Sequence, residues 1–562
     1  MSKKKKLNLK VRKSYKGIVV DICDNIVSVS GLKYAFSGEF IRFKSVKSDI
    51  FGFVWNLEDN ICKIPLIGGS QTSLKIGDPV YNTYRLVNTR CGFGVLGEVI
   101  NPLGEFLAPS DISYRESELS RLFLTRWSSV EVGAPGIVHR APVTVPFMTG
   151  VASVDSFIPV GCGQRELIIG DQNTGKTSLA ITAIINQSYR NNVLCNVWRG
   201  NDWSNYKYSL FFPCIYVSIG SKRSEIVRIR KVLSNKHALH YTCIIFTSAD
   251  DLAALQYLAP FAGCTIGEWF MNNGYNAVVV YDDLTQHAVA YRQLALLLRR
   301  PPGREAYPGD IFFLHARLLE RAAQLVFGGS LTALPIIQTL GGDLSGYIST
   351  NVISITDGQI FLVKSLINKG IRPAVDLSLS VSRVGSAAQY SAMAFVSKRV
   401  KGIFSLYKIY AGIAKLGSED PDVLLHVNRG ERLLSFFTQD LYETYSFYKQ
   451  VVCLYALTLD STDVVLPNKV HMFFTLFSLK QFNYLLKIEK KLVTFFLDTK
   501  MIEPLLMVFS FDLIQKDITL LINHFSVFFS SEIQHKTTPE SQYLISELFF
   551  RGTKDVNSIF SW

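Results

Sequence analysis

The stretch "RELIIGDQNTGKTSLAITAIINQ", residues 165–187, constrains the fold more than any other part of the chain. A short apolar run ends at Gly170, a glycine-rich turn follows, and apolar residues then recur with a helical period. Gly170, Gly175, Lys176 and Thr177 fit the spacing G-x-x-x-x-G-K-[ST]. In that pattern successive backbone N–H groups face a phosphate seated on a helix N-terminus. Residues Gly170, Asp171, Gln172, Asn173, Thr174, Gly175, Lys176, Thr177 and Ser178 are therefore read as a phosphate cradle. Lys176 is expected to reach the β- and γ-phosphates of ATP, or the β-phosphate of ADP, and the Thr177 hydroxyl to ligate Mg²⁺.

The complement of such a loop is a buried strand that delivers a carboxylate to the metal. "NAVVVYDDL" supplies it: four apolar residues run toward Asp282, assigned to the Mg²⁺, while Asp283 suits the N-cap of the next helix. The runs "RELIIG", "CIYVSIG", "TCIIFTS", "NAVVVYDD", "LPIIQTL" and "NVISITDG" alternate with helical segments and read as buried parallel strands. They mark residues 109–388 as an α/β P-loop nucleotide-binding domain of RecA-like type. Before it, residues 17–108 hold short β-rich runs punctuated by glycines, the pattern of a small β-barrel. After it, 389–562 read as an α-helical domain with an extended tail, and 1–16 as a basic N-terminal arm.

Composition excludes several function classes. The chain is 48% hydrophobic, yet its longest uncharged stretch, "AAQLVFGGSLTALPIIQTLGG", is broken by glycines, Pro335 and polar residues, so no membrane span is expected. Of the net charge of +13, eight positive residues precede the first acid, Asp21; a solvated arm explains them without a nucleic-acid partner. Nine cysteines lie scattered with no C-x-x-C pair, which supports neither a zinc site nor a disulfide framework and fits a reducing compartment. The lysine-rich start, followed by alternating rather than continuous apolar residues, is not a secretory signal. Heavy use of Phe, Tyr, Ile, Asn and Lys points to an AT-rich gene of the kind organelles carry.

Four stretches carry a family resemblance: "ASVDSFIPVGCGQRELIIGDQNTGKTS", "YDDLTQHAVAYRQLALLLRRPPGREAYPGDIFFLHARLLERAA", "GGSLTALPIIQTLGGDLSGYISTNVISITDGQIFL" and "KGIRPAVDLSLSVSRVGSAAQ". From about residue 17 to 460 the chain resembles the alpha subunit of F-type ATP synthases. The resemblance implies a ring of alternating alpha and beta subunits around a central-stalk gamma subunit, held by a peripheral stalk. It implies contact with the membrane only through the complex, on the matrix side of the mitochondrial inner membrane; a bacterial plasma membrane or a plastid thylakoid are the alternatives. In the catalytic beta subunits of this family a glutamate of a G-E-R motif orients the attacking water. Here "CIYVSIGSKRS" places Ser221 after Gly220, and a serine is no base at neutral pH. The resemblance thus implies a regulatory, non-catalytic subunit that binds Mg-ATP without turning it over.

Further roles come from the resemblance alone. In "DLSLSVSRVGSAAQ", Arg383 matches the alpha-subunit arginine that reaches the γ-phosphate in the adjacent beta subunit, with Ser380 holding its strand. Arg372, Pro373 and Gln439 match the segments that meet adenine. Departures accompany these matches. Gln172 and Asn173 stand where family members carry Arg-Gln, Leu441 replaces a second glutamine, and Ile367 replaces an aromatic. Residues 189–210 look longer than the family's loop, and the family's acidic-amphipathic N-terminal segment gives way to the lysine-rich arm. Two other readings share the P-loop and barrel: a hexameric RNA translocase, and a self-sufficient catalytic ATPase subunit. Ser221 weighs against both, and the confinement of charge to one tail weighs against the first.

Overall fold

The computed structural model describes residues 16–474 apart from 45–48, 69–73, 108–123, 189–190, 192–210, 415, 417–419, 460–461, 464 and 472. The arm expected over residues 1–16, save Lys16, lies outside the described residues. So do the expected 189–210 insertion, save Asn191, and the tail beyond 474.

Among the described residues seven short strands come first: β1 (Lys16–Cys23), β2 (Ile26–Ser30), β3 (Glu39–Lys44), β4 (Asp49–Phe53), β5 (Asn56–Leu57), β6 (Ile61–Gly68) and β7 (Pro79–Leu86). Their order is β2-β1-β7-β3-β4-β6-β5, and a further β2–β6 pairing closes the first six into a barrel. Closure gives each of those six strands a neighbour on both sides, with β5 appended to β6. Alternation does the rest: Val27 and Val29, Ile41 and Phe43, and Ile64 and Leu66 point inward and fill the lumen. Beyond the barrel, β8 (Asn88–Cys91) pairs with β10 (Arg126–Ser129), and β11 (Pro146–Phe147) with β12 (Val160–Gly161).

The central sheet has the order β19-β18-β13-β17-β16-β14-β15-β9. Its strands are β9 (Val99–Ile100), β13 (Glu166–Gly170), β14 (Cys214–Ser221), β15 (Thr242–Ser248), β16 (Asn276–Asp282), β17 (Ser330–Gln338), β18 (Gly358–Leu362) and β19 (Val381–Ser382). All pair in parallel except β19, which runs antiparallel to β18. The period of two splits each strand between two cores. Ile168, Tyr216, Val278 and Ile336 face one core with helices α1 (Ala152–Phe157), α2 (Lys176–Asn186) and α3 (Arg223–Asn235). Leu167, Ile215, Val279 and Ile337 face the other, with α4 (Ala253–Asn272), α5 (Leu284–Leu297), α6 (Ile311–Leu319) and α7 (Tyr347–Ile355). A short α8 (Lys364–Asn368) follows β18.

Two details differ from the sequence reading. "NVISITDG", read as a strand, mostly closes helix α7, and the strand starts only at Gly358. Its β-branched residues favour a strand locally, but Ile348, Val352 and Ile355 recur with helical spacing and are all buried, so packing overrides propensity. Val99 and Ile100, grouped with the barrel by the glycine-punctuated pattern, pair with Ile244 and Ile245 at the edge of the central sheet.

Deep in the second core, the Arg321 side chain is fully enclosed. It donates to both Glu268 oxygens at 2.7 and 2.6 Å, to the Val130 carbonyl at 3.0 Å and to Thr265 Oγ1 at 2.8 Å. A buried ion pair is tolerated only with such complete hydrogen bonding.

The described chain divides into two compact units. The first takes everything up to Gln389 together with Gln439–Ser446. The second takes Tyr390–Thr438 and the chain from Phe447 on, with helices α9 (Ser391–Ala414), α10 (Pro421–Phe437) and α11 (Phe447–Leu457). Asp420 caps α10, and Pro421 occupies its first turn. Within this unit Arg429 and Arg432 both bind Asp463. A Cβ at Gly430 would sit 2.2 Å from the Tyr407 ring, so only glycine lets α9 and α10 approach this closely. Among the described residues no helix is long and apolar enough to cross a membrane.

Candidate functional site

The loop between β13 and α2 takes the form its glycines permit. Gly175 caps α2 with a φ of +89°, a left-handed conformation that costs glycine nothing. Gly170 passes so close to β18 that a Cβ there would lie 2.5 Å from the Leu362 carbonyl. Together they turn the backbone so that the free N–H groups of the first turn of α2 point into a cavity of about 400 Å³.

Asn173, Thr174, Gly175, Lys176, Thr177 and Ser178 line that cavity. Opposite them lie Ile367, Arg372, Pro373 and the segment Gln439, Asp440, Leu441 and Tyr442. Residues that the sequence places more than 250 positions apart thus form one concavity. Gly170, Asp171 and Gln172 fall outside its lining. The Asp171 carboxylate turns away and accepts from Thr339 Oγ1 and the Gly342 N–H, both at 2.7 Å. The hydrogen bond from Thr339, ahead of the backbone bond and the Lys176 charge, holds its pKa below the usual value. Gln439 also has a definite place: its amide accepts from the Ala152 N–H at 2.9 Å and donates to the Gly150 carbonyl at 3.1 Å. Its own N–H donates to the Arg372 carbonyl at 2.6 Å. It thereby pins the 439–446 segment against α1 as a wall of the cavity.

At the cavity floor the Lys176 ammonium is buried and donates to the Gly170 carbonyl at 2.9 Å and to the Asp171 carbonyl. Burial pulls its pKa down, against the attraction of Asp283, Asp282 and Asp171. Thr177 Oγ1 donates to Asp282 Oδ2 at 2.7 Å, and Tyr216 donates to the same oxygen at 2.7 Å. Burial raises the Asp282 carboxyl's pKa, and those two hydrogen bonds oppose the rise. Asp283 caps α5 through its Oδ1, accepting from the Gln286 N–H at 2.7 Å, as its sequence position suggests. Tyr216 is the residue that sequence reading missed. It sits in an unremarkable apolar strand, and only the pairing of β14 with β16 brings it to the carboxylate.

The remaining positions lie elsewhere. Ser221 ends β14, outside the cavity lining, with its hydroxyl 2.5 Å from that of Ser218. Glu225, which does line the cavity, is paired with Arg228 at 3.7 Å. Arg383 follows β19 at the opposite end of the sheet from the phosphate loop. Ser382 pairs with Gly358, the start of β18, whereas Gly170 pairs with Leu362, its end. Arg383 is exposed, and among the described residues its guanidinium makes no hydrogen bond or ion pair. Ser380 is buried and accepts from the Phe361 N–H at 2.9 Å, tying the segment to β18.

Comparison with known families agrees with this architecture. Residues 150–382 match the nucleotide-binding domain of the ATP synthase alpha/beta family, and residues 389–501 match the C-terminal domain of the ATP synthase alpha/beta chain. The two matches cover more than half of the 562 residues and include the phosphate loop and the helical unit. A closed N-terminal barrel, a parallel-sheet nucleotide-binding domain and a helical C-terminal unit complete the expected order, and the chain belongs to the ATP synthase alpha/beta family, as a subunit of a membrane-associated, multisubunit ATPase complex.

Proposed function

We propose that this chain is the non-catalytic, alpha-type subunit of a proton-translocating F-type ATP synthase, binding Mg-ATP or Mg-ADP itself and lending Arg383 to a neighbouring beta subunit. The observation that carries the reading is Ser221. In sequence it follows Gly220 where the catalytic subunits of the family carry the glutamate that orients water, and its hydroxyl, bonded to Ser218, is no base at neutral pH. In the same reading the chain alternates with beta subunits around a gamma stalk, meets the peripheral stalk, and works on the matrix side of the mitochondrial inner membrane.

In this reading Lys176 and the N–H groups that open α2 hold the phosphates, while Arg372, Pro373 and Gln439 close the cavity around the base. Mg²⁺ would be held by Thr177 and Asp282. An alcohol and a carboxylate that meet at 2.7 Å form a hard-oxygen pair, which fits a cation that keeps several waters and takes phosphate oxygens. When bound, the metal neutralises charge on the phosphate oxygens. The position of Arg383 supports action in trans. Arg383 stands level with Asp357, about 16 Å of strand from the level of the chain's own phosphate loop, and it is exposed.

Rapid-mixing and filter-binding measurements on the purified full-length chain test the non-catalytic role. Mg-ATP binds, Lys176→Ala abolishes binding, and no phosphate is released in a single turnover. Single-turnover hydrolysis that disappears in Lys176→Ala would overturn it.

A further inference from the structure

Tyr216 is the third residue of β14, fully enclosed, on the sheet face that carries α2. It is opposite Val280 in β16, and its phenol reaches two residues forward to Asp282 Oδ2 at 2.7 Å. The same oxygen accepts from Thr177 Oγ1 at 2.7 Å. Two hydroxyl donors on one oxygen fix the rotation of the carboxylate. They differ in kind: Thr177 opens α2 beside the phosphates, whereas Tyr216 lies within the core beneath and does not line the cavity. A carboxylate that ligates a cation is itself usually held by an outer hydrogen bond, and loss of that bond weakens metal affinity.

We propose that Tyr216 is a positioning residue for the metal-binding carboxylate, orienting Asp282 from behind so that the cation adds to nucleotide affinity. The proposal rests on the reading of this cavity as a Mg-nucleotide site. Tyr216 touches neither nucleotide nor metal, so its influence passes through Asp282 alone. A residue of that kind changes what Mg²⁺ contributes to binding and leaves metal-free nucleotide binding as it was. A packing defect lowers both together.

The test uses the purified full-length chain and ATP as the probe, titrated in excess Mg²⁺ and again in EDTA. In Tyr216→Phe, which keeps the ring and removes one oxygen, the Mg²⁺ enhancement of affinity is expected to shrink ten- to hundredfold. Affinity in EDTA should stay within about twofold of wild type, well under 1 kcal/mol. Adding Tyr216→Phe to Asp282→Asn should cause no further loss of the enhancement, because the two act as one unit. An enhancement in Tyr216→Phe equal to wild type, or equal losses with and without Mg²⁺, would overturn the assignment. If the wild type shows no enhancement, and Lys176→Ala binds ATP as well as the wild type does, the nucleotide reading itself fails.

Discussion

The Arg383 N–H donates to the Asp357 carbonyl at 2.8 Å, while the Asp357 carboxylate grips Arg165 through its backbone N–H at 3.0 Å, its Nε at 3.0 Å and a terminal nitrogen at 2.8 Å. The backbone that presents Arg383 is thus anchored to the strand that leads into the phosphate loop, since Arg165 immediately precedes β13. Ser382 adds a second tie, donating to the Pro159 carbonyl at 2.8 Å and accepting from Gln164 at 3.1 Å. The base of the side chain is fixed, and among the described residues its exposed guanidinium makes no hydrogen bond or ion pair.

Arg383→Ala in an assembled complex should lower multisite ATP hydrolysis and synthesis by roughly a thousandfold or more, the range found for arginine fingers supplied in trans. Nucleotide binding to this chain's own cavity should change little, because Arg383 is at the far end of the sheet. Turnover by the purified mutant complex, measured beside a nucleotide titration, checks both halves. A loss of less than about threefold, under 1 kcal/mol of barrier, would rule out the role in trans.

Gln439→Ala should weaken ATP and GTP binding alike. Its amide holds the Gly150 carbonyl and the Ala152 N–H; the carbonyl keeps the Tyr445 N–H at 2.9 Å, but truncation leaves the buried Ala152 N–H unpaired, at about 1–3 kcal/mol, and loosens a wall of the cavity. Competition titrations with the two nucleotides read this directly. A loss confined to ATP would mean instead that the amide reads the base.

Arg321→Met should destabilise the first unit by about 3–5 kcal/mol, since it strands the Glu268 carboxylate among apolar side chains. Arg321→Met combined with Glu268→Leu should recover much of that loss, because no uncompensated charge remains. Denaturant melts of the single and double variants decide it. Equal stability of the two variants would mean that the ion pair is incidental.

His315 is fully enclosed beside His287, with ring centroids 5.5 Å apart. Burial pulls its pKa down from the ordinary 6.5 to about 4. The unfolded chain therefore binds the proton first as pH falls, so stability is complete above about pH 6.5 and is lost progressively toward pH 4. Between pH 7 and 5 this group costs about 2 kcal/mol. His315→Leu should flatten the decline by that amount in urea denaturation at the two pH values. An unchanged pH slope would show that the imidazole does not drive it.

Contiguous motifs were legible because neighbouring residues alone fix their geometry. Gly170 and Gly175 dictate the phosphate loop, the apolar run into Asp282 dictates a strand bearing a carboxylate, and Asp283 is a cap whose partner lies three residues away. The order of barrel, parallel sheet and helices followed from hydrophobic periods. What the tertiary structure decided depended on register between distant strands. Tyr216 reaches Asp282 only because β14 pairs with β16 at one offset, and Val99 joins the central sheet only because β15 leaves it an edge. Residues 347–355 are helical because the core rewards helical spacing over the local β preference of Val352, Ile353 and Ile355. A single sequence encodes torsional preference within a few residues of each position. The burial that outweighs this preference exists only once the sheet has formed.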